Sequence, residues 1–485
     1  MWAEAAPFTL KTPAGPLVGE KTGAVRVFRG VPFAEPPVGS LRFRAPQPLK
    51  PWTTPREALR FGAAAMQPGD SAEAPRSEDC LTLNIWAPEG KGPFPVFVWI
   101  HGGGFTGGYP YEPIYDGTGM AEQGIVLVSV AYRLGVFGFL DMEPLLGPAY
   151  RGSANHALRD LMLALTWVQR NIEAFGGNPQ RVTIGGESAG AKLTDILMGV
   201  PEAEGLFQQM ISESGGAERI HTPEHAKDVA LGFGEAWKKE TGLAVAELAT
   251  APARQIIAVQ QKFMAGWPLH FPLRCEVDGA LLPRKPVETI AMGSSKGKRL
   301  LIGTNRDESA AFVGPHPKKD AGPGDLGNAA AETFAKVYAR YAEVYPEMTV
   351  EERRIRALSA EEYWVPSLRV AEAHVRCGGE TYVYRLDFSE TSGGMKGFAY
   401  HSLDLPLVWR KPHEKVENAG AETALGAAVQ QAWLAFLRGG APAAPGMPEW
   451  PKWNAETRPT MLVNSESRVE TKPQEAELRL WDGVL

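Results

Sequence analysis

The chain has 485 residues, of which 44% are hydrophobic and 22% charged; this composition excludes a disordered protein and allows a large buried core. The net charge of −6 and the lack of any lysine-rich run exclude nucleic acid as an expected partner. The three cysteines, Cys80, Cys275 and Cys377, are too few and too scattered for a disulfide framework or a metal cluster. We expect buried free thiols and a reducing compartment, with the cytoplasm favoured.

The apolar runs indicate buried strands, because the longest of them are far too short to cross a bilayer. The start of the chain, Met1–Pro7, has neither the basic nor the apolar region of a signal peptide. A secreted or periplasmic location after removal of a longer leader stays open. No linker-like run divides the sequence, so we expect one large domain over residues 1–485, working as a monomer.

The first predicted elements are strands. Alternating residues in 8–20 around Gly15 predict a hairpin, whereas the proline-rich stretch 28–39 predicts irregular structure at a surface or pocket rim. Leu81–Trp86 alternates as a strand does, and the continuous apolar runs Phe94–Ile100 and Ile125–Tyr132 are typical of strands that are covered on both faces.

The middle of the chain alternates strands with helices. Helical spacing predicts a helix over 156–175, followed by a strand at 181–185, another helix and a strand at 210–212. This order favours an α/β fold with a mostly parallel sheet and right-handed crossovers. Residues 222–264 and 328–378 are predicted to be helical insertions around that core. Further predicted elements are strands at 299–303, 382–386 and 460–463 and a helix at 421–437.

The sequence Gly186-Glu187-Ser188-Ala189-Gly190 lies at the predicted junction between a strand and a helix. A serine at such a sharp turn has strained backbone angles and needs small neighbours, and its hydroxyl projects from the sheet. The N–H groups of the following helix favour a developing negative charge. We therefore predict that Ser188 is a nucleophile.

A glycine-rich loop, His101 to Phe105, follows the buried strand that ends at Ile100. Three successive glycines let backbone N–H groups approach a substrate oxygen without intervening side chains. Together with the serine turn, this loop predicts an oxyanion hole formed by the N–H groups of Gly103, Gly104 and Ala189.

A nucleophilic serine needs a base, and the order of residues in folds with this serine turn places the base downstream. Of the candidates His316, His374, His401 and His413, one lies in a helical pattern and two lie among prolines and lysines. His401 lies in a loop after a predicted strand, and we select it. For the acid, Asp307 and Glu308 follow the strand at 299–303, and Asp387 follows the strand at 382–386. Spacing alone does not separate them.

Several motifs together resemble those of the type-B carboxylesterase family, which includes the cholinesterases and bacterial p-nitrobenzyl esterases. They are Ser77–Ile85, the loop at His101, Tyr132–Gly135, Phe175–Pro179, the Ser188 turn, Asp307-Glu308 and His401–Pro406. The resemblance runs from about residue 8 to the C-terminus. It implies an α/β-hydrolase fold with inserted helices around the active-site cleft and a triad of Ser188, Glu308 and His401.

The resemblance also implies roles for neighbouring residues. Glu187 matches the family's glutamate beside the serine and is expected in a buried polar network with Ser214. The family usually pairs the cysteine at Cys80 with an upstream cysteine, which residues 1–79 lack, so we expect no disulfide there. Lys192, on the first turn of the serine helix, is unfavourable next to the helix N-terminus and is expected to be salt-bridged or solvated. An alternative is that it contacts an anionic substrate group.

The predicted activity is hydrolysis of carboxylic esters through an acyl-enzyme, with no cofactor and no metal. Activity should fall in acid as His401 protonates, around its usual pKa of about 6 to 7. Aromatic residues in loops suggest an apolar pocket for uncharged, moderately bulky esters. Pocket candidates, with Glu187 beside them, are Phe105, Tyr109, Trp267, Phe271, Phe312, Trp364 and Trp409. An amidase, a lactonase or a non-catalytic binding module of the same family stay open as alternatives.

Overall fold

The computed structural model describes residues 6–69, 71–322, 327–411 and 419–485. Its strands are β1 (Ala6–Thr12), β2 (Gly15–Thr22), β3 (Val25–Pro32), β4 (Arg56–Glu57), β5 (Ala64–Ala65), β6 (Arg76–Ser77), β7 (Thr82–Pro88), β8 (Phe94–Ile100), β9 (Val126–Val130), β10 (Gly177–Glu187), β11 (Gln209–Glu213), β12 (Ile220–His221), β13 (Cys275–Glu276), β14 (Arg299–Asn305), β15 (Glu380–Leu386), β16 (Pro459–Val463) and β17 (Arg468–Thr471).

The α-helices are α1 (Thr118–Glu122), α2 (Val136–Phe139), α3 (Glu143–Leu146), α4 (His156–Asn171), α5 (Ala189–Met198), α6 (Pro223–Thr241), α7 (Ala253–Gly266), α8 (Pro286–Thr289), α9 (Ala310–Val313), α10 (Ala331–Ala339), α11 (Tyr341–Val344), α12 (Val350–Ser359), α13 (Val365–Arg376), α14 (Leu405–Val408), α15 (Ala419–Leu437) and α16 (Glu475–Leu478). The π-helical segment Ile290–Ser294 follows α8 directly. A second π-helical segment of the described residues, Ala360–Trp364, connects α12 to α13. Among the described residues, none of these helices is long and apolar enough to span a membrane.

One sheet dominates the described part of the chain, with the strand order β1-β2-β3-β7-β9-β8-β10-β11-β14-β15-β16-β17 and β4 paired to β2. The run from β9 to β16 is parallel, while β1, β2, β3 and β7 at one edge and β17 at the other pair antiparallel. The prediction of a mostly parallel sheet is therefore confirmed.

The sheet is buried on both faces because its central strands are apolar on both. In β8, Val96, Val98 and Ile100 belong to the core cluster that contains residues of α4 and α5. Phe97 and Trp99 point the other way, into the cluster that contains residues of α15. The continuous apolar run thus has its expected cause, since each face of the strand meets a different layer of helices.

One local prediction is wrong. The stretch from residue 28 was expected to be irregular, yet 28–32 completes β3 and pairs with β7. The register shifts between Phe28 and Val31, where Gly30 has a φ of 66°, so a bulge absorbs the irregularity and the strand ends at Pro32. Pairing with β7 overrides the local proline signal. The expected free cysteines are confirmed; Cys80 and Cys275 are buried and Cys377 is half-buried.

Candidate active site

Ser188 lies between the end of β10 and the start of α5, with backbone angles φ 56° and ψ −123°. Such a conformation is rare for a residue with a side chain, and close packing of the surrounding backbone holds it. A Cβ on Gly186 would lie 2.3 Å from the carbonyl oxygen of Ile100, and one on Gly190 only 2.0 Å from the same oxygen. Both glycines are required because β8 runs against the turn.

The glycine loop lies directly against this turn. A Cβ added to Gly102 would be 3.2 Å from the Cβ of Ser188, and Gly103 and Gly104 have φ values of 109° and 61°. Backbone N–H groups of Thr106 and Gly107 donate to the carbonyl of Gly103 and fix the loop. The predicted donors therefore belong to a braced loop beside the serine. Ala189 begins α5, so its N–H has no partner within the helix.

The ring of His101, at the start of the loop, packs against Tyr132 and bonds to the loop backbone. Its ring stacks on Tyr132 at 4.5 Å between centroids, and its Nδ1 donates to the carbonyl of Gly102 at 2.9 Å when that nitrogen carries the proton. Burial lowers the pKa of His101 to about 4, so the ring is neutral at pH 7. This neutral ring places no positive charge beside the loop.

His401 is held by Glu308. Nδ1 of His401 donates to Oε2 of Glu308 at 2.6 Å, and the backbone N–H of His401 donates to the carbonyl of Glu308. The other carboxylate oxygen, Oε1, accepts from the hydroxyl of Ser214 and from the N–H of Asn305 at 2.7 Å. Glu308 is fully buried, so these donors replace its water. Ser214 therefore belongs to the polar network of Glu187, to which it is connected through Glu308 and His401.

The far nitrogen of the ring faces the serine turn. Nε2 of His401 lies 3.2 Å from Oε1 of Glu187, the residue that precedes Ser188. Within the described residues Nε2 has no hydrogen-bond partner, so a bond to the Ser188 hydroxyl is not formed in this structure. Such bonds are often long in unliganded enzymes and tighten with substrate. Burial works to lower the pKa of His401, but the carboxylates of Glu187 and Glu308 outweigh it and raise that pKa.

The other candidate acids and bases lie elsewhere. Asp307 pairs with Arg306, and Asp387 pairs with Arg385. His374 is buried in α13 against Thr381, and His316 is exposed beside Glu351; His413 lies outside the described residues.

The aromatic candidates separate into two groups. Phe271 lies against Gly104, since a Cβ there would be 2.5 Å from its ring, and Phe312 lies 5.0 Å from the ring of His401. Sequence reasoning missed Tyr363, whose ring also packs against His401, with 4.9 Å between the ring centroids. It is carried by the π-helical segment Ala360–Trp364, for which the sequence has no recognisable signal.

The remaining aromatic candidates pack elsewhere. Phe105 is fully buried and packs against Phe139, with 4.8 Å between the ring centroids. Trp364 is buried in the core, and Trp409 packs against Trp99. Trp267, at the end of α7, lies against Gly232 of α6. Tyr109 packs against Tyr111 with the rings tilted by 52°, and the guanidinium of Arg76 lies 5.8 Å from the ring of Tyr109.

Lys192 is salt-bridged rather than solvated. Its ammonium is buried 3.1 Å from Oε1 of Glu362, which also pairs with Arg219 at 2.6 Å, and it donates to the carbonyl of Gly215. Burial lowers the pKa of Lys192, and Glu362 opposes that shift. The guanidinium of Arg219 lies 3.9 Å from the ring of Phe271, so this buried ion cluster supports one wall of the site.

Comparisons with known proteins identify the family of the whole chain. A sequence model of the carboxylesterase family matches residues 6–481. A para-nitrobenzyl esterase of Bacillus subtilis (strain 168) is 36% identical over 481 residues, covering 96% of each chain. A solved PNB esterase structure superposes with a TM-score of 0.85 at 31% identity, covering 97% of this chain and 99% of the other. A carboxylesterase of Geobacillus stearothermophilus gives 0.86 at 34% identity, covering 98% and 99%.

Proposed function

This chain belongs to the carboxylesterase family and is a serine carboxylesterase with an α/β-hydrolase fold, and from that premise we propose that Ser188, His401 and Glu308 carry out its chemistry. The observation that carries this proposal is the hydrogen bond from His401 Nδ1 to Glu308, which leaves Nε2 of the same ring unbonded beside the serine turn.

The first step is acylation. His401 Nε2 removes the proton of the Ser188 hydroxyl as its oxygen attacks the ester carbonyl, and the carbonyl oxygen becomes negatively charged. The N–H groups of Gly103, Gly104 and Ala189 bind that oxygen. When the tetrahedral intermediate collapses, the bond to the alcohol oxygen breaks, and His401 gives its proton to the departing alcohol.

The second step is deacylation. His401 removes a proton from water, whose oxygen attacks the acyl-serine, and the proton returns to Ser188 as the carboxylic acid leaves. Glu308 keeps the proton of the neutral ring on Nδ1 and stabilises the imidazolium that forms in each step. No electrons are exchanged, so the reaction needs only ester and water.

The substrate class follows from the walls of the site. Phe271 lies against Gly104, and Phe312 and Tyr363 pack against the ring of His401. The cations of Lys192 and Arg219 are already paired with Glu362. These contacts support uncharged esters of moderate bulk as substrates.

The test is hydrolysis of p-nitrophenyl esters of increasing acyl length by the wild-type protein and by Ser188→Ala. We expect the variant to lose about a million-fold in kcat. Hydrolysis by Ser188→Ala at the wild-type rate would refute the assignment. In the wild type, kcat/KM should be higher for neutral acyl groups than for carboxylate-bearing acyl groups of the same length.

We also propose a reducing compartment, since Cys80, Cys275 and Cys377 are all free. Thiol titration of the denatured protein taken directly from its source cells should detect three thiols. Fewer than three would contradict this proposal.

A further inference from the structure

Ser402 combines a strained backbone with a short hydrogen bond. Its φ of 69° lies in the left-handed region, which residues other than glycine, asparagine and aspartate rarely adopt. Its hydroxyl donates to Oε1 of Glu187 at 2.6 Å. The side chain that follows the predicted base therefore binds the side chain that precedes the predicted nucleophile.

The same oxygen of Glu187 also lies close to His401 and can compete with Ser188 for the ring nitrogen that acts as the base. It lies 3.2 Å from Nε2 of His401, the nitrogen that must receive the proton of Ser188. An ionised Glu187 can pair with the imidazolium, and a protonated Glu187 can donate its proton to the neutral ring. Both arrangements leave His401 unable to act as a base. The working state has an ionised Glu187 and a neutral His401 together.

The surroundings of Glu187 mostly oppose its ionised form. The side chain is buried, and burial is the main cause that raises its pKa to about 7. Within the described residues, Ser402 is the side chain that donates a hydrogen bond to this carboxylate. The other titratable groups that act on it are His401, which favours the anion, and Asp404, Glu308, Glu213, Tyr115 and Tyr363.

We propose that Ser402 is a positioning residue of this esterase, whose hydroxyl holds Glu187 as an ionised hydrogen-bond acceptor and so keeps His401 Nε2 free for Ser188. The proposal rests on the roles assigned above to Ser188 and His401. It also accounts for a serine in a backbone conformation that glycine would adopt without strain, because glycine has no hydroxyl to donate.

The sign of the effect follows from the three protonation states. The hydroxyl stabilises the working state more than the state with a protonated Glu187, which has lost its negative charge. It also stabilises the working state at least as much as the ion pair, in which the imidazolium already neutralises the carboxylate. Removing the hydroxyl therefore makes the first proton bind more tightly. The fall of kcat/KM in acid should then begin at a higher pH.

The experiment compares Ser402→Ala with Ser402→Gly, which both lack the hydroxyl but differ in backbone strain. In both variants we expect the acid limb of kcat/KM for a neutral p-nitrophenyl ester to move up by about one pH unit. The alkaline plateau should stay within a few-fold of wild type. In a Glu187→Gln background, the same two substitutions should leave the limb in place, because the ionisable partner is gone.

Each outcome decides a separate point. A shift in Ser402→Ala alone would assign the effect to backbone strain and overturn the proposal, as would equal shifts with and without Glu187. An unmoved limb in both single variants, with Ser188→Ala inactive, would overturn the role of Ser402 only. Full activity in Ser188→Ala would instead overturn the proposed function.

Discussion

Replacing Glu308 with glutamine changes one atom of the site and tests the choice of acid. Oε1 of Glu308 accepts from Asn305 N–H and from the Ser214 hydroxyl, while Oε2 accepts from His401 Nδ1. A glutamine has one acceptor oxygen and one NH₂ group. If the NH₂ faced Asn305, two donors would meet in a buried place, which costs about 1–3 kcal/mol. The amide oxygen therefore stays towards Asn305 and the NH₂ faces His401.

This orientation reverses the tautomer of the ring. Nδ1 must accept from the new NH₂, so the proton of neutral His401 moves to Nε2, which can then no longer take the proton of Ser188. The corresponding change in a Ser-His-Asp triad lowers kcat by about 10⁴, or about 5 kcal/mol at 1.36 kcal/mol per tenfold. We expect a loss of this order in kcat for p-nitrophenyl esters, with KM little changed and the protein folded.

The neighbouring acid supplies the matched control. Asp307 accepts from the N–H of Ala399 and pairs with Arg306. Asp307→Asn should therefore keep kcat within about tenfold of wild type. Steady-state kinetics of both variants, with thermal unfolding to check the fold, make the comparison. A Glu308→Gln enzyme within tenfold of wild type, or an equal loss in Asp307→Asn, would refute the reasoning.

Three further predictions use other parts of the site. Because carboxylates raise the pKa of His401 above its ordinary value, kcat/KM should fall with decreasing pH through a midpoint above about 6.5, and a midpoint below that value would contradict the electrostatics. In Gly103→Ala the new Cβ would lie 2.1 Å from the carbonyl oxygen of Gly107 and displace the loop, so kcat should fall by about 10²–10³; wild-type kcat in a folded variant would exclude this loop from the oxyanion hole. Glu362→Gln leaves Lys192 buried without its carboxylate partner, so the free energy of unfolding in urea should fall by about 3–5 kcal/mol, and an unchanged value would show that the ion cluster does not stabilise the fold.

The sheet could be predicted well because its strands carry strong local signals. The run Phe94–Ile100 is apolar at every position that two layers of helices must cover, and the observed β8 has the same bounds. The prediction for residues 28–32 was wrong because pairing with β7 is a long-range contact that proline content does not reveal. The Ser188 turn was predictable for the opposite reason, since its glycines are adjacent in sequence.

The rest of the site needs long-range geometry. Spacing did not separate Asp307, Glu308 and Asp387, and family resemblance was required to choose. The contact of Ser402 with Glu187 joins residues 215 positions apart, and nothing in the local sequence of either predicts it. Tyr363 reaches His401 from a π-helical segment. Aromatic residues were therefore recognisable as a group, but which of them face the site was not.

The central claim is that one serine hydroxyl, activated by His401, attacks the acyl carbon. Reaction with a fluorophosphonate, followed by mass spectrometry of the intact and digested protein, measures this directly. We predict one adduct per chain, located on Ser188, which is absent in Ser188→Ala and forms much more slowly in Glu308→Gln. An adduct on another residue, or equal labelling of Ser188→Ala, would contradict it.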